Sequence, residues 1–416
     1  MKTLFSTPRF APPVIAFLLL HGFAAAAVTF TTDTFISVSN KAYDGLNVVI
    51  NNCTLTVDGS HSFASLQVLN GGDLTHSFVS SGGLGLNLII TGNVTVTPGG
   101  RINVDGRGYD GGAGPGAGRS VGSPLSGSGA GHGGYGGQSV GLDGTGLTYD
   151  TIQQPTSQGS GGGRGYGGVG GAGGGSVKLV VGGTMRVDGS VTADGADGLN
   201  SRSGGGSGGS IWLSVQNLTG TGLLSANGGA GEPGQGGGGG GGRISIQYAS
   251  NSFYGPVVAH GGSGYAAGGA GTIYSISTAT PTKVAGQLLV DNGGLSGTNT
   301  PISIAEVVDL TVQGAAVVSL PGSVTFHSLL VASNAWLSVG NPITIIVTGD
   351  ATIQEGGGIT ADGAGYASNL GPGAGKYAVS TYAFRRHRGG RFQRRGGDLL
   401  VPRAQAHKPP KKAVRN

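Results

Sequence analysis

Along most of the chain, apolar and polar residues alternate in short runs: Asn47-Val48-Val49-Ile50, Thr54-Leu55-Thr56-Val57, Ser65-Leu66-Gln67-Val68, Leu88-Ile89-Ile90, Val94-Thr95-Val96 and Arg101-Ile102-Asn103-Val104. A period of two is that of a half-buried strand, and the Asp-Gly, Gly-Gly and Asn-Gly steps between the runs are turn chemistry. After the first 27 residues no run has the 3.6-residue period of an amphipathic helix. The pattern predicts an all-β protein.

Two repeats organise these runs. Val191-Thr192-Ala193-Asp194-Gly195, Leu224-Ser225-Ala226-Asn227-Gly228 and Val257-Val258-Ala259-His260-Gly261 recur with a period of 33 residues. Each is followed by a glycine stretch and then by a matching strand, opening at Gly175, Gly209, Gly242 and Gly271. A longer repeat has an offset of 257: residues 91–118 align without a gap on 348–375 with 15 of 28 positions identical, and the likeness extends upstream from Phe63-Ala64-Ser65-Leu66 to Phe326-His327-Ser328-Leu329. A short strand with one apolar face cannot bury that face alone, whereas stacking successive turns of chain buries it on the next copy. The expected fold is therefore a parallel β-helix, a β-solenoid with long glycine-rich loops. The alternative is a row of β-sandwich repeats, which share the short strands and frequent turns but do not usually hold long glycine tracts inside each repeat.

Glycine changes the picture most. It supplies 91 of the 416 residues, and 30 of those between Gly106 and Gly175. The glycines do not fall at every third position, which excludes collagen, and the recurring Val/Ile/Leu runs argue against full disorder. Ordering a glycine costs more backbone entropy than ordering any other residue and buries no side chain in return. The tracts are therefore expected either to stay mobile outside the solenoid or to lie side by side in a polyproline-II-like form, bonded chain to chain.

The domains expected are a signal peptide at 1–27, N-terminal solenoid rungs at 28–105, a glycine-rich insertion at 106–176, 33-residue repeats with glycine-rich loops at 177–280, the start of a second β module at 281–383, and a basic, disordered tail at 384–416. Lys2 and Arg9 precede the apolar run Val14-Ile15-Ala16-Phe17-Leu18-Leu19-Leu20, and Ala24 to Ala27 supply a small-residue cleavage site, the layout of a secretory leader. That run is too short for an anchor, and no later segment reaches membrane-spanning length.

The net charge of +5 suggests a polyanion partner until its location is considered. Eleven Lys/Arg against Asp398 lie between Phe384 and Asn416, while residues 28–383 carry 11 basic and 18 acidic side chains. The body is mildly acidic and no nucleic-acid partner is expected for it. Cys53 is the lone cysteine, so no intramolecular disulfide supports the exported chain, and its place in an alternating run marks it as core.

No motif commits the chain to chemistry, so no catalytic, cofactor-binding or metal residue and no cofactor is expected. Gly-x-Gly-x-x-Gly patterns, as within Gly159–Gly175, arise by chance at this glycine content and open no helix after a strand. Gly205 to Ile211 approaches the calcium-binding nonapeptide but carries Ser210 where its aspartate is needed. Asp58, Asp105, Asp188, Asp194 and Asp362 precede glycine and read as turn residues, since the position of Asp194 is Asn227 and His260 in the next two copies. The Thr-x-Thr steps at Thr54 and Thr95 are not sustained and read as β-propensity. The eight histidines show no metal-ligand spacing, and no nucleophile elbow is present.

The sequences Asp44-Gly45-Leu46-Asn47-Val48-Val49-Ile50, His61 to Leu66, Asn70 to His76, Gly204 to Leu213 and Gly236 to Ile246 resemble the glycine-rich repeat modules of large uncharacterised secreted or cell-surface, adhesin-like bacterial proteins, over about residues 40–376. The resemblance implies export and a repeated β-rich architecture, with adhesion by analogy. The departure follows: near residue 383 the 257 offset calls for the Ser126-to-Gly134 tract, and the chain reads Phe384-Arg385-Arg386-His387-Arg388 instead. Glycine codons begin GG and CGG encodes arginine, so a one-base slip in a GC-rich tract yields such a run. The tail is expected to be a frameshift or truncation product, leaving strand edges exposed and solubility poor. The alternative is a genuine basic tail held by anionic envelope polymers.

The expected function is a secreted or cell-surface structural, adhesin-like protein without catalytic activity, with extracellular polysaccharide or cell-envelope polymers as partners. The rival is a polysaccharide-active β-helix enzyme, a lyase or hydrolase. Such an enzyme needs Asp, Lys and Arg clustered on one face, and the body's charges are scattered.

Overall fold

The computed structural model describes residues 27–365, apart from 142–143, 280–284 and 341, together with Leu370 and Pro372. Residues 1–26, most of the expected leader, and the basic run 384–416 lie outside the described residues. Among the described residues every regular element is a strand, and no helix is long and apolar enough to cross a membrane. The protein is all-β, built on long parallel sheets.

From Ala27 to Ser277 the chain makes repeated passes, each adding one strand to a first sheet and one to a second. The first sheet runs Ala27–Phe30, Asn47–Ile50, Ser65–Val68, Val94–Val96, Ser176–Val187, Ser210–Gly220, Arg243–Phe253 and Thr272–Ser277, neighbours parallel throughout. The second runs Thr34–Ile36, Thr54–Val57, Asp73–Thr75, Arg101–Asn103, Ser190–Thr192, Leu223–Ser225 and Val257–Val258, again parallel. The 33-residue repeat is one such pass: Val191 pairs with Leu224 and Leu224 with Val257, while Val177, Ile211, Ile244 and Ile273 form a row across the first sheet.

Alternation decides which residues meet inside. Phe30, Ile50, Val68, Val96 and Val187 are register partners in turn and form one buried column, and Leu55, Leu74, Ile102 and Val191 form another from the opposite sheet. Each such side chain gains about 1.5–3 kcal/mol on burial, but only when rungs lie on either side of it.

The strand Ser176–Val187 is longer than the five-residue run legible at its start, continuing through Gly182-Gly183 to Met185 and Val187. Its first half pairs with Leu86–Ile90 and its second with Val94–Val96, so two short strands share one long neighbour. The strand Gly59–Phe63, which has no clean apolar alternation, pairs with Leu86–Ile90.

At Thr272–Ser277 the core changes face. This strand pairs antiparallel with Gly286–Asp291, matching Ile273 to Leu289 and Tyr274 to Leu288. Ile273 belongs to the first core, whereas Tyr274 and Leu288 belong to a second core with Val308, Leu310, Phe326 and Leu337. Successive residues of a strand point to opposite faces, so the two cores lie on opposite faces of one continuous sheet. Parallel passes then resume: Gly286–Asp291, Val308–Gln313 and Val324–Val331 extend the first sheet, and Asn299–Pro301, Val317–Leu320, Trp336–Val339 and Gly358–Thr360 form a new opposite sheet.

The glycine tracts are ordered. The six successive amides of Gly237 to Gly242 donate to Gly127, Ala266, Gly229, Ala130, Gly269 and Ala226, so every third residue returns to the same neighbouring tract. Residues 204–209 do likewise, donating to Gly163, Gly237, Ala196, Ser160, Gly240 and Ala193 at 2.7–3.0 Å. A three-residue rotation of donors is the period of polyproline II, and here it bonds each tract to three others. Of the two expectations for the tracts, the side-by-side arrangement is the one observed. The reason the tracts are glycine is spatial: a Cβ at Gly129 or Gly239 would fall deep inside the carbonyl of Gly238 or Gly206.

Candidate functional site

Three gatherings of polar side chains stand out, and they differ in what they can do. The first is the series containing the Asp-Gly carboxylates. Asp105 accepts from the amide of Asp194 (2.7 Å) and the hydroxyl of Thr192 (3.0 Å), and Asp194 accepts from the amide of Asn227 (2.5 Å) and the hydroxyl of Ser225 (2.6 Å). Asn227 in turn accepts from the amide of His260 (2.7 Å). Asp58 accepts from Ser77 and Asp188 from Thr221 in the same way. These residues are more than turn formers: each side chain clamps the next rung by a backbone amide. An amide oxygen does that as well as a carboxylate, which is why Asn227 can occupy the series.

Charge is costly there. Burial, with Asp105 as a further contribution, pushes the Asp194 carboxyl up to about 6 from 3.8, against the bonds from Ser225 and Asn227. The folded state therefore holds the proton more tightly than the unfolded chain does. The corresponding stability is full below the unfolded value and is lost as pH rises through about 6. Asp194→Asn keeps an oxygen for both bonds and removes the charge. The variant is expected to melt a few degrees higher than the native chain at pH 8, with the gap closing as pH falls toward 4. Thermal melts of both proteins across that range check this; equal melting curves at pH 8 would refute it. His76 and His132, both held below their ordinary value chiefly by burial, titrate in the opposite sense, so the difference between the two proteins is the quantity to read.

The second gathering is buried beneath the segment Tyr149–Gln158, which lies across the outer face of the first sheet. Ser210 and Ser245 donate to the carbonyls of Ser157 and Gln153 at 2.6 Å. Arg243, 4% exposed, donates to the carbonyls of Tyr149 and His132 and to the Thr272 hydroxyl. His132 stacks on Tyr149 at 4.5 Å and stands 3.7 Å from the Asp150 carboxylate, while Ser160 donates to the Tyr149 hydroxyl. Burial opposes ionisation of Asp150, but neighbouring His132 and the amides of Ser157 and Thr151 outweigh it and hold the carboxyl well below the usual range. Burial also lowers Arg243, to about 10, against the pull of Asp150. Neither the His132 nor the Arg243 side chain is open to solvent, so the arrangement is a lock that seats the segment. Ile152, at its centre, is buried in the second core.

The third gathering is open. A cleft of about 330 Å³ is lined by Ile276, Gly286, Glu306, Val307, Asp309 and His327. Tyr274 donates to Glu306 at 2.9 Å. His327 Nδ1 lies 2.7 Å from Asp309 Oδ1, which also accepts from the Ser328 hydroxyl at 2.6 Å. Burial opposes ionisation of Asp309, but the bonds from Ser328 and His327 outweigh it and lower its pKa. Asp309 fixes the histidine ring by Nδ1, the arrangement by which a carboxylate orients an imidazole base. Ser328 bonds the carboxylate and is not aligned as a nucleophile on His327.

Asp309 and His327 are 18 residues apart, a separation read across neighbouring strands and not along one. Sequence spacing for metal or helix-borne sites does not reveal such a pair. The signal available was the long repeat: Asp309 and Ser328 stand where Asn47 and Ser65 bond in the first module, and His327 stands where Ala64 does.

Cys53 is buried in the first core; of the Gly205-to-Ile211 segment, Gly205 to Gly209 are built into the glycine layer and Ser210 and Ile211 open a strand of the first sheet. Among the described residues no group of three or more His, Cys, Asp or Glu side chains is placed to hold a metal ion. In comparisons with known proteins, no family model, no curated protein and no solved structure matched this chain.

Proposed function

We propose that the chain is a secreted or cell-surface structural, adhesin-like protein without catalytic activity, coiled as a parallel β-helix and serving as a stiff spacer or binding surface for extracellular polysaccharide or cell-envelope polymers. The observation that carries this reading is that the passes of the 33-residue repeat, from Arg101 to Val258, are tied to one another three times over: through the sheets, through the Asp/Asn side-chain clamps and through the glycine layer. Such a body resists bending and local opening, because any displacement of one rung breaks bonds of all three kinds at once. The leader-like first 27 residues support export.

The open cleft favours one second reading, a polysaccharide-active enzyme with His327 as base. Affinity electrophoresis through a panel of acidic and neutral polysaccharides, with assay of new reducing and unsaturated ends, separates the two. The structural reading expects retardation by at least one polymer with no new ends. New ends that disappear in His327→Ala would replace it with the enzymatic one, and neither retardation nor cleavage across the panel would leave only the spacer role.

A further inference from the structure

Leu199, Glu232 and Tyr265 hold the same position in the glycine loops of three successive 33-residue copies. The amides of Gly198 and Gly231 donate to the carbonyls of Ala230 and Ser263 at 2.8 and 2.7 Å, which keeps these loops in register. The third copy departs from the other two. From Ala259 to the next strand opening at Gly271 it is four residues shorter than its predecessor from Ala226 to Gly242. Against this shorter loop stands the first loop of the second stack, which joins Gly286–Asp291 to Asn299–Pro301. Between the two loops lies a cleft of about 350 Å³, lined by Ser263, Tyr265 and Ala266 on one side and by Leu295, Ser296 and Thr298 on the other.

Both walls are fixed by the fold. The Thr298 amide donates to the Ala267 carbonyl at 3.2 Å and the Thr298 hydroxyl to the Tyr135 carbonyl at 2.7 Å, while the buried Asn292 side chain donates to the carbonyls of Leu295 and Gly268. The Tyr265 amide donates to Gly236 at 2.7 Å, but its ring is 48% exposed and its hydroxyl has no hydrogen-bond partner among the described residues. The fold uses the Tyr265 backbone and leaves the side chain free. Apolar surface from Tyr265, Ala266 and Leu295 beside the hydroxyls of Ser263, Ser296 and Tyr265 matches a sugar ring, which has a C–H face and a rim of hydroxyls. No lining residue is charged and the body of the chain is acidic, so an acidic sugar finds no cation there. We propose that this cleft binds an uncharged polysaccharide, one sugar ring stacking on Tyr265 and its hydroxyls bonding Ser263 and Ser296. The volume is at the lower end for a small-molecule site and suits a short run of rings, and walls already in place add little ordering cost. The inference rests on the binding-surface reading and names its polymer class and its place.

Affinity electrophoresis of the full chain through gels containing dextran, galactomannan or hydroxyethylcellulose, with alginate as the acidic comparison, tests this. The native chain is expected to be retarded by at least one of the neutral polymers. Tyr265→Ala is expected to bind that polymer about tenfold more weakly, and Tyr265→Phe, which keeps the ring, to lose less. Tyr254→Ala, at an 83% exposed tyrosine outside the cleft, is the control and is expected to match the native chain. A second measurement needs no variant: nitration of Tyr265 by tetranitromethane, mapped by mass spectrometry, is expected to slow when the same polymer is present, while nitration of Tyr254 does not. Equal retardation of the native and Tyr265→Ala chains, retardation by alginate alone, or undiminished nitration of Tyr265 would overturn the cleft and leave the binding-surface reading standing. Retardation by none of the polymers would overturn both and leave the spacer role.

Discussion

Gly239→Ala is expected to destabilise the chain by about 3 kcal/mol, the upper end for an overpacked site, although it touches no side chain of either core. The amide of Gly239 donates to Gly229, its carbonyl accepts from Gly262, and its neighbours Gly238 and Gly240 bond two further tracts. A methyl group there would meet the carbonyl of Gly206, which is backbone and cannot rotate away. The layer must open on that side until a 2.0 Å approach reaches ordinary contact distance, and the bonds between residues 204–209 and 237–242 go with it. Gly322→Ala is the matched control: nothing lies within contact of an added Cβ, and the substitution is expected to be neutral or to stabilise by about 0.4–1 kcal/mol through the unfolded chain. Urea unfolding of both variants, with amide exchange at Gly205 and Gly262, decides the matter. Equal stabilities would mean that the tracts contribute little to the fold.

Arg243→Met is expected to cost about 3–5 kcal/mol, because it strips a donor from the buried His132 carbonyl and another from the part-buried Tyr149 carbonyl, and leaves the Asp150 carboxylate without a nearby buried cation. The loss should be local before it is global. Ile244 and Ile246 remain buried in the first core, while the amides of Thr156 and Ser157, which donate to Asp150, should exchange early as Tyr149–Gln158 lifts from the sheet. Arg243→Lys is expected to recover only part of the loss, since one ammonium group cannot reach the Tyr149 carbonyl, the His132 carbonyl and the Thr272 hydroxyl in the geometry of a planar fork. Unchanged exchange at Thr156 and Ser157 in Arg243→Met would show that Arg243 does not seat the segment.

The position of Arg243 explains why it could not be read in advance. Its register neighbours Ser210 and Thr272 are small and polar, and a single arginine in a run that otherwise alternates like the others looks like surface. Its burial is produced by Tyr149–Gln158, about 90 residues earlier in the chain, and nothing in that segment's composition says which face it will cover. The cleft holding Asp309 and His327 was equally illegible, because it forms where one sheet continues while the core beneath it changes face.

What the sequence determined by itself was everything governed by local period: strands and not helices, the identity of the alternating core residues, and the 33-residue step, which places like residues over like because parallel stacking brings each copy to the same height. It also limited the tracts to conformations that only glycine tolerates at close quarters. Tertiary structure decided the rest. Whether the tracts would pack was a balance between the entropy of many glycines and a network of bonds among segments far apart in the chain, and only their simultaneous alignment tips it toward order. Asp58, Asp105, Asp188 and Asp194 became clamps between rungs because the next rung delivers an amide to each, and the second core opened on the far face because one strand pair, Thr272–Ser277 with Gly286–Asp291, is antiparallel. A single reversal of that kind depends on the path of the chain between two strands, which leaves no periodic trace in the residues on either side.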